Sequence, residues 1–188
     1  LAAVRRAGYG TVMVAKADAT LPRFDDLRVV ALCETAAGVV DAVGLARRDE
    51  VVALMWGAED LVASLGGTSS RDAAGRYRDV VRTARSHVLL AAGAAGIAAI
   101  DAVHLAIDDL VGLRAEAEDA VACGFAATAC IHPSHVAVIR DAYRPSPAEV
   151  AWARRVLAAA SGRGVVRLDD VMIDGPVLRH AEAVLRRA

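Results

Sequence analysis

The hydrophobic pattern of the chain alternates between short apolar runs and longer stretches with helical spacing. The apolar runs predict five strands, at residues 11–18, 28–34, 51–57, 97–103 and 127–132. The helical spacing predicts helices at residues 35–48, 58–66, 76–93, 111–124, 133–143, 146–160 and from 174 to the C terminus, with a loop or short strand at 161–170. Strands that alternate with helices indicate a parallel sheet. Near-continuous apolar strands are typical of a sheet that is covered on both faces.

The number of strands leaves two architectures open. Five strands fit an open doubly wound sheet. A complete (β/α)₈ barrel needs eight strands and about 250 residues, so a barrel of 188 residues would lack about a third of that fold.

Composition and charge narrow the possible partners. Lys and Arg number 22 against 23 Asp and Glu, so bulk electrostatics gives no reason to expect a nucleic-acid partner. The longest apolar run, at 88–100, is shorter than the ~20 residues of a membrane span and is broken by glycines. The N-terminal residues lack the long apolar stretch of a secretory signal, and the three cysteines, Cys33, Cys123 and Cys130, have no CxxC spacing. We therefore expect a cytoplasmic protein with reduced, mostly buried thiols and no membrane partner.

Three acids lie at the carboxyl ends of predicted strands, where active sites of parallel α/β proteins collect. Glu34 ends the second strand, Asp60 follows the third, and Asp101 ends the fourth. Because the second and third strands are consecutive, Glu34 and Asp60 can converge on one point. Two carboxylates completed by water and a substrate oxygen are typical of a Mg²⁺ site. The alternative is that Glu34 pairs with a helix dipole and Asp60 is an ordinary first-turn acid.

Several longer segments resemble the citrate lyase β-subunit-like family of the HpcH/HpaI aldolase superfamily, whose members are CoA-ester lyases. The resemblance runs from residue 11 to 187 and is carried by CETAAGVVDA (33–42), MWGAEDLVASLGGTSS (55–70), DAVHLAIDDLVGL (101–113) and CIHPSHVAVIRDAYRPSPAEVAWARRVL (130–157). It implies an α/β fold, the TIM (β/α)₈ barrel of the phosphoenolpyruvate/pyruvate type, and a homotrimer. It also implies Mg²⁺ held by Glu34 and Asp60, with Glu34 on the substrate side of the metal.

The C-terminal segment carries a further candidate. Residues 172–176, MIDGP, resemble a family segment that reaches the site of a neighbouring subunit, and the resemblance implies that Asp174 is a catalytic acid or base. The alternative for Asp174 is a helix N-cap, and the two roles are compatible. We accordingly divide the chain into residues 1–145, the C-terminal part of the barrel (family strands four to eight), and residues 146–188, a helical extension that would cover a neighbouring subunit's site.

The chain departs from the family pattern in two ways. The family's first three βα units, with an acidic motif and a substrate-binding arginine, have no counterpart here, so the resemblance implies a barrel without those units. Ala15-Lys16 stands where the family usually has Pro-Lys, and His135 stands where it usually has Gln.

The resemblance implies a Mg²⁺-dependent lyase that cleaves a β-hydroxyacyl-CoA into acetyl-CoA and an α-keto acid. Citramalyl-CoA, malyl-CoA and a citryl thioester all fit this reaction. Two alternatives remain open: a catalytically incomplete barrel fragment with at most a binding role, and a metal-dependent aldolase that acts on free 2-keto acids.

The remaining candidates have simpler explanations. Lys16 could form a Schiff base, but metal-dependent chemistry would leave it as a cation beside the substrate at most. His132 is more readily a structural histidine held by backbone hydrogen bonds, and Asp101 an acid that fixes a loop. The loop at 66–75 lacks the P-loop ending, although in the family it flanks the site. The arginines at 71, 76, 78, 82 and 85 read as a solvated helix face.

Overall fold

The structure is a computed structural model that describes residues 2–160 and 165–188. Its helices are α1 (Ala2–Arg6), α2 (Ala36–Val40), α3 (Ala42–Ala46), α4 (Ala58–Ser64), α5 (Asp79–Ala95), α6 (Leu110–Cys123), α7 (Pro133–Tyr143), α8 (Pro147–Ala159) and α9 (Gly175–Arg187). Its strands are β1 (Thr11–Val14), β2 (Arg28–Cys33), β3 (Val51–Trp56), β4 (Ala98–Asp101), β5 (Ala127–Thr128), β6 (Val166–Leu168) and β7 (Val171–Ile173). The first residues of the predicted loop at 161–170 lie outside the described residues, and the rest of it contributes to the β6–β7 hairpin.

The first five strands form one parallel sheet in the order β1-β2-β3-β4-β5. Each strand pairs with the next strand of the chain, so the order never reverses as it does at the switch point of a doubly wound sheet. This sequential order is that of a (β/α) barrel. The barrel interpretation is therefore confirmed and the doubly wound alternative is wrong, with five barrel strands among the described residues.

The two faces of this sheet differ in burial. Along β2, Val29, Ala31 and Cys33 are fully buried, whereas Val30 and Leu32 on the opposite face are partly exposed. Helices α3 and α5 pack on the sheet and on each other. The expectation that both faces are covered is thus wrong for β2 as described, because only the face that carries Cys33 is buried there.

Helix boundaries differ from the sequence pattern where side chains bind the backbone of another segment. The helix predicted at 35–48 is two helices, broken at Asp41, whose carboxylate accepts a hydrogen bond from the Ala19 N–H at 2.9 Å. The helix predicted from residue 76 begins at Asp79, since Arg71 and Tyr77 form an antiparallel bridge that keeps the preceding residues in a turn.

The chain divides into two compact units, residues 1–136 and 137–188. The second unit contains α8, α9 and the antiparallel β6–β7 hairpin around a core of Ala153, Val156, Ile173, Ala181 and Val184. The predicted capping box of α8 is present: the Ser146 hydroxyl accepts from the Glu149 N–H, and the Glu149 carboxylate accepts from the Ser146 N–H. The functional division at residue 145 stays a prediction. No described helix is long and apolar enough to cross a membrane.

Candidate metal centre

Glu34 directly follows β2 and is 8% exposed. The Thr35 hydroxyl accepts from the Gly38 N–H at 3.0 Å and thereby caps α2 immediately after the acid. A Cβ at Gly38 would lie 2.3 Å from the Ala17 carbonyl oxygen, so only glycine lets α2 approach the segment after β1. The ETAAG motif thus holds Glu34 in a fixed place between a strand end and a helix start.

The next strand brings a second carboxylate to the same edge. Gly57 follows β3, and a Cβ built on it would lie 3.0 Å from Glu34 Cβ and 3.3 Å from Glu34 Oε2. The glycine therefore makes room for the Glu34 side chain. Asp60 stands in the first turn of α4, two residues after this contact, with its side chain 53% exposed.

Lys16 contacts both acids. Its backbone N–H donates to Glu34 Oε1 at 3.1 Å, and its Nζ lies 3.6 Å from Asp60 Oδ1. The two carboxylates singled out from the sequence therefore converge, and one lysine links them.

The charge distribution of this pair favours a cation. Burial raises the pKa of Glu34, and the negative charge of Asp60 raises it further, while the Lys16 N–H and ammonium act in the opposite direction. A divalent cation between the two carboxylates would relieve this like-charge repulsion. Among the described residues no group of three or more His, Cys, Asp or Glu side chains could hold a metal ion. A pair of carboxylates leaves most positions to water and ligand oxygens, which fits Mg²⁺ better than metals that need several protein ligands.

Asp101, the third acid at a strand end, has a different environment. Its carboxylate is 5% exposed as a residue and accepts hydrogen bonds from Trp56 Nε1 at 2.6 Å and from Arg85 Nη2 at 2.8 Å. Arg85 also donates to Asp119 at 2.7 Å. Burial alone would lower the pKa of Arg85, but its hydrogen bonds and charge interactions with these two acids raise it overall. Asp101 therefore fixes the end of β3 against α5, as the loop-fixing interpretation predicts.

The interpretation of the arginines as a solvated helix face is wrong for two of them. The Arg85 side chain is only 18% exposed because it reaches under the sheet to Asp101. Arg71 pairs with Glu116 at 2.7 Å, and its guanidinium lies 3.8 Å from the centre of the Tyr77 ring. Helical spacing could not reveal either contact, since the carboxylate partners lie on other elements.

The loop at 66–75 is anchored to the metal-site helix by a contact that the sequence analysis missed. The buried Ser70 hydroxyl donates to Glu59 Oε1. Glu59 is thus the acid of the GAED motif that faces the loop, whereas its neighbour Asp60 faces Lys16. A carboxylate next to the candidate ligand was the one signal for this contact in the sequence.

The other candidates lie apart from the carboxylate pair in their interactions. His132 is exposed, and its Nδ1 accepts from the Ser134 N–H at 3.3 Å, which agrees with a structural role. Asp174 is in the second unit and caps α9 by accepting from the Val177 N–H at 3.4 Å. Its N-cap role is present, while its catalytic role stays a prediction.

The expectation that the cysteines are mostly buried is wrong. Cys33 is buried, but Cys123, in the last turn of α6, and Cys130, beyond the end of β5, are exposed. All three are free thiols, as expected from their spacing.

Comparison with known proteins agrees with this architecture. The family model described as HpcH/HpaI aldolase/citrate lyase matches residues 4–133. A "citrate lyase subunit beta-like protein" of Mycobacterium tuberculosis is 54% identical over 191 residues, which cover the whole of this chain and 70% of that protein. The mitochondrial citramalyl-CoA lyase of Rattus norvegicus is 32% identical over 167 residues, which cover 86% of this chain and 47% of the enzyme.

A solved structure extends the similarity to three dimensions. The crystal structure of "protein CitE" from M. tuberculosis in complex with magnesium, acetoacetate and coenzyme A superposes with a TM-score of 0.88 at 56% identity, covering 96% of this chain and 68% of that one. The family match spans most of the chain, the relative is similar over its full length, and the sheet has the strand order of a barrel. The chain therefore belongs to the HpcH/HpaI aldolase/citrate lyase family.

Proposed function

We propose that this chain carries the metal centre of a Mg²⁺-dependent carbon–carbon lyase that cleaves a β-hydroxyacyl-CoA into acetyl-CoA and an α-keto acid. The observation that carries the proposal is the pair formed by Glu34 and Asp60, which repel each other at the carboxyl edge of the sheet and share Lys16. Magnesium and coenzyme A in the M. tuberculosis structure, and the name of the rat enzyme, support the choice of metal and of substrate class.

The proposed ligand roles follow from the geometry of the pair. Glu34 is fixed by the strand end and by the contact with Gly57, so it presents its carboxylate in one orientation. Asp60 is half exposed and can adjust to the ligand. When bound, magnesium supplies a template and a Lewis acid for the carboxylate and developing carbonyl oxygen of the α-keto acid fragment.

The cleavage itself is a retro-Claisen step. A base removes the proton of the β-hydroxyl, the oxygen forms the carbonyl of the α-keto acid, and the electrons of the broken C–C bond pass to the acetyl-CoA enolate. Asp174, supplied by a neighbouring protomer of a homotrimer, then gives the enolate its proton. Citramalyl-CoA, malyl-CoA and a citryl thioester all fit this scheme.

The test is Mg²⁺-dependent release of acetyl-CoA from citramalyl-CoA and malyl-CoA. It is run on the 188-residue chain and on a form extended at the N terminus by the three βα units that the family resemblance implies. We expect Glu34→Gln and Asp60→Asn to abolish the activity, since each removes a metal ligand. Activity that survives both substitutions, or that needs no divalent cation, would overturn the proposed site.

Asp174 needs a separate test because it also caps α9. Asn is as good an N-cap as Asp, so Asp174→Asn keeps the helix stable and removes only the acid. Asp174→Ala removes both, and lowers the free energy of unfolding by about 1 kcal/mol. A catalytic role predicts that both variants lose turnover to a similar extent. A capping role alone predicts that Asp174→Asn retains full turnover.

Two alternative functions lead to different results in the same assays. An aldolase that acts on free 2-keto acids would cleave them without coenzyme A. A barrel fragment with only a binding role would bind Mg²⁺ or CoA without turnover in either form. The five described barrel strands, against eight in a complete barrel, are the observation that keeps the fragment alternative open.

A further inference from the structure

Lys16 is held in an uncommon backbone conformation. Its φ of 54° lies in the left-handed region, which side-chain-bearing residues rarely adopt. The turn is fixed on both sides, because β1 ends at Val14 and the Ala17 N–H donates to the Leu32 carbonyl oxygen of β2 at 3.0 Å. Such conformations persist where the surrounding structure holds them, and they collect at functional sites. Here the turn points the Lys16 N–H at Glu34 while the side chain reaches Asp60.

Lys16 is also the single lysine of the chain, against 21 arginines. The buried carboxylates elsewhere are paired with arginine, for example Asp101 with Arg85. A guanidinium binds a carboxylate with a rigid planar fork, whereas an ammonium is a compact charge on a flexible stem. The Lys16 side chain is 64% exposed, so its ammonium can leave Asp60 without disturbing the packing.

Charge gives this mobility a consequence. Two carboxylates and one ammonium leave the site with one net negative charge, which attracts a divalent cation. With the dication bound, the same groups carry one net positive charge, which attracts an anion. The site therefore changes sign when the metal binds, and the sign favours binding of the metal before a carboxylate ligand.

We propose that Lys16 is a mobile counter-ion of the Glu34–Asp60 pair, which it neutralises in part before the metal binds, and that its ammonium then leaves Asp60 and binds the carboxylate of the organic ligand. This inference rests on the proposed function, since it concerns the same metal site. It assigns Lys16 a part in binding the α-keto acid and in setting the order in which metal and ligand bind.

The main experiment is calorimetric titration with MgCl₂ alone, followed by titration of the Mg²⁺-saturated chain with pyruvate. Lys16→Met removes the ammonium and keeps the backbone N–H that donates to Glu34. We expect it to bind Mg²⁺ about fivefold tighter, because a competing positive charge is gone, and pyruvate about tenfold weaker. Arg82→Met is the matched control: Arg82 is exposed on α5 and pairs with Asp79, so both affinities should stay unchanged.

A second readout uses the unaltered chain and does not depend on the folding of a variant. Reductive ¹³C-methylation labels the single lysine and the N-terminal amine, so the Lys16 resonance can be followed by NMR. We expect it to shift when MgCl₂ is added and to shift again when pyruvate follows. Pyruvate without Mg²⁺ should shift it little.

The outcomes separate this inference from the proposed function. Mg²⁺ binding of equal strength in the unaltered chain and Lys16→Met, or a Lys16 resonance that ignores Mg²⁺, would overturn the inference and leave the metal site in place. A pyruvate adduct trapped on Lys16 by borohydride would also overturn it, because the lysine would then be a nucleophile. No Mg²⁺ binding by the unaltered chain would overturn both.

Discussion

Glu34 and Asp101 occupy similar places in the sequence and opposite environments in the structure. Each lies at the carboxyl end of a parallel strand and is less than 10% exposed. Asp101 accepts hydrogen bonds from Arg85, from the Trp56 indole and from the Ala102 N–H, so its charge is matched. Glu34 accepts from the Lys16 N–H and lies close to a second carboxylate that raises its pKa.

The difference between them concerns what is left for a ligand. A buried carboxylate with matched partners stabilises the fold only as long as the partners remain, and it offers no charge to a further group. A carboxylate beside another carboxylate keeps an excess of negative charge. Position at a strand end therefore identifies where a site can be, and the unmatched charge identifies which acid forms it.

The largest effect should come from exchanging each acid for its amide. Asp101→Asn leaves the buried Arg85 with only the half-exposed Asp119, so we expect the free energy of unfolding to fall by about 3 kcal/mol. Glu34→Gln removes a carboxylate whose pKa is already raised by burial, so stability should change by less than about 0.5 kcal/mol. Urea unfolding followed by circular dichroism measures both. Equal losses in the two variants would contradict the distinction between matched and unmatched acids.

A smaller effect is expected from a methyl group next to Glu34. Gly57 has an extended backbone that alanine can adopt, so Gly57→Ala acts through the 3.0 Å contact with Glu34 Cβ alone. We expect Mg²⁺ affinity to fall by about tenfold, since the carboxylate must move.

Gly44→Ala is the matched control for that substitution. Gly44 lies in α3 with no atom within 4 Å of its Cβ position, so alanine should leave Mg²⁺ affinity unchanged and stabilise the helix by up to about 1 kcal/mol. If both variants bound Mg²⁺ as the unaltered chain does, the contact with Gly57 would not position Glu34.

The smallest effect concerns Cys33, which precedes Glu34 and points to the buried face of β2. Burial raises the pKa of Cys33 to about 12, so the native thiol should stay unreactive at pH 8. Cys123 and Cys130 are exposed and should react with a thiol reagent such as 5,5′-dithiobis(2-nitrobenzoate). The raised pKa also predicts that the stability contributed by Cys33 is complete below its ordinary pKa near 9 and is lost as the pH rises towards 12. Rapid reaction of all three thiols would place Cys33 outside the core.

Sequence reasoning predicted the strands, the parallel sheet and the convergence of Glu34 with Asp60, because these depend on periodicity and chain order. It failed where one long-range contact decides the local structure. The helix break at Asp41 depends on the Ala19 N–H, and the burial of Arg85 depends on Asp101, which lies 16 residues away on another element. It also placed Lys16 beside the substrate without its contacts to the two acids, since nothing in the pattern signals a left-handed residue other than glycine.

The most direct test of the unmatched pair is isothermal titration of Mg²⁺ into the unaltered chain, Glu34→Gln, Asp60→Asn and Asp101→Asn. We expect one ion per chain, an affinity at least about tenfold lower in Glu34→Gln and in Asp60→Asn, and an affinity close to the unaltered value in folded Asp101→Asn. Mg²⁺ binding that survives in Glu34→Gln and Asp60→Asn but is lost in Asp101→Asn would contradict the assignment and move the metal to the end of β4.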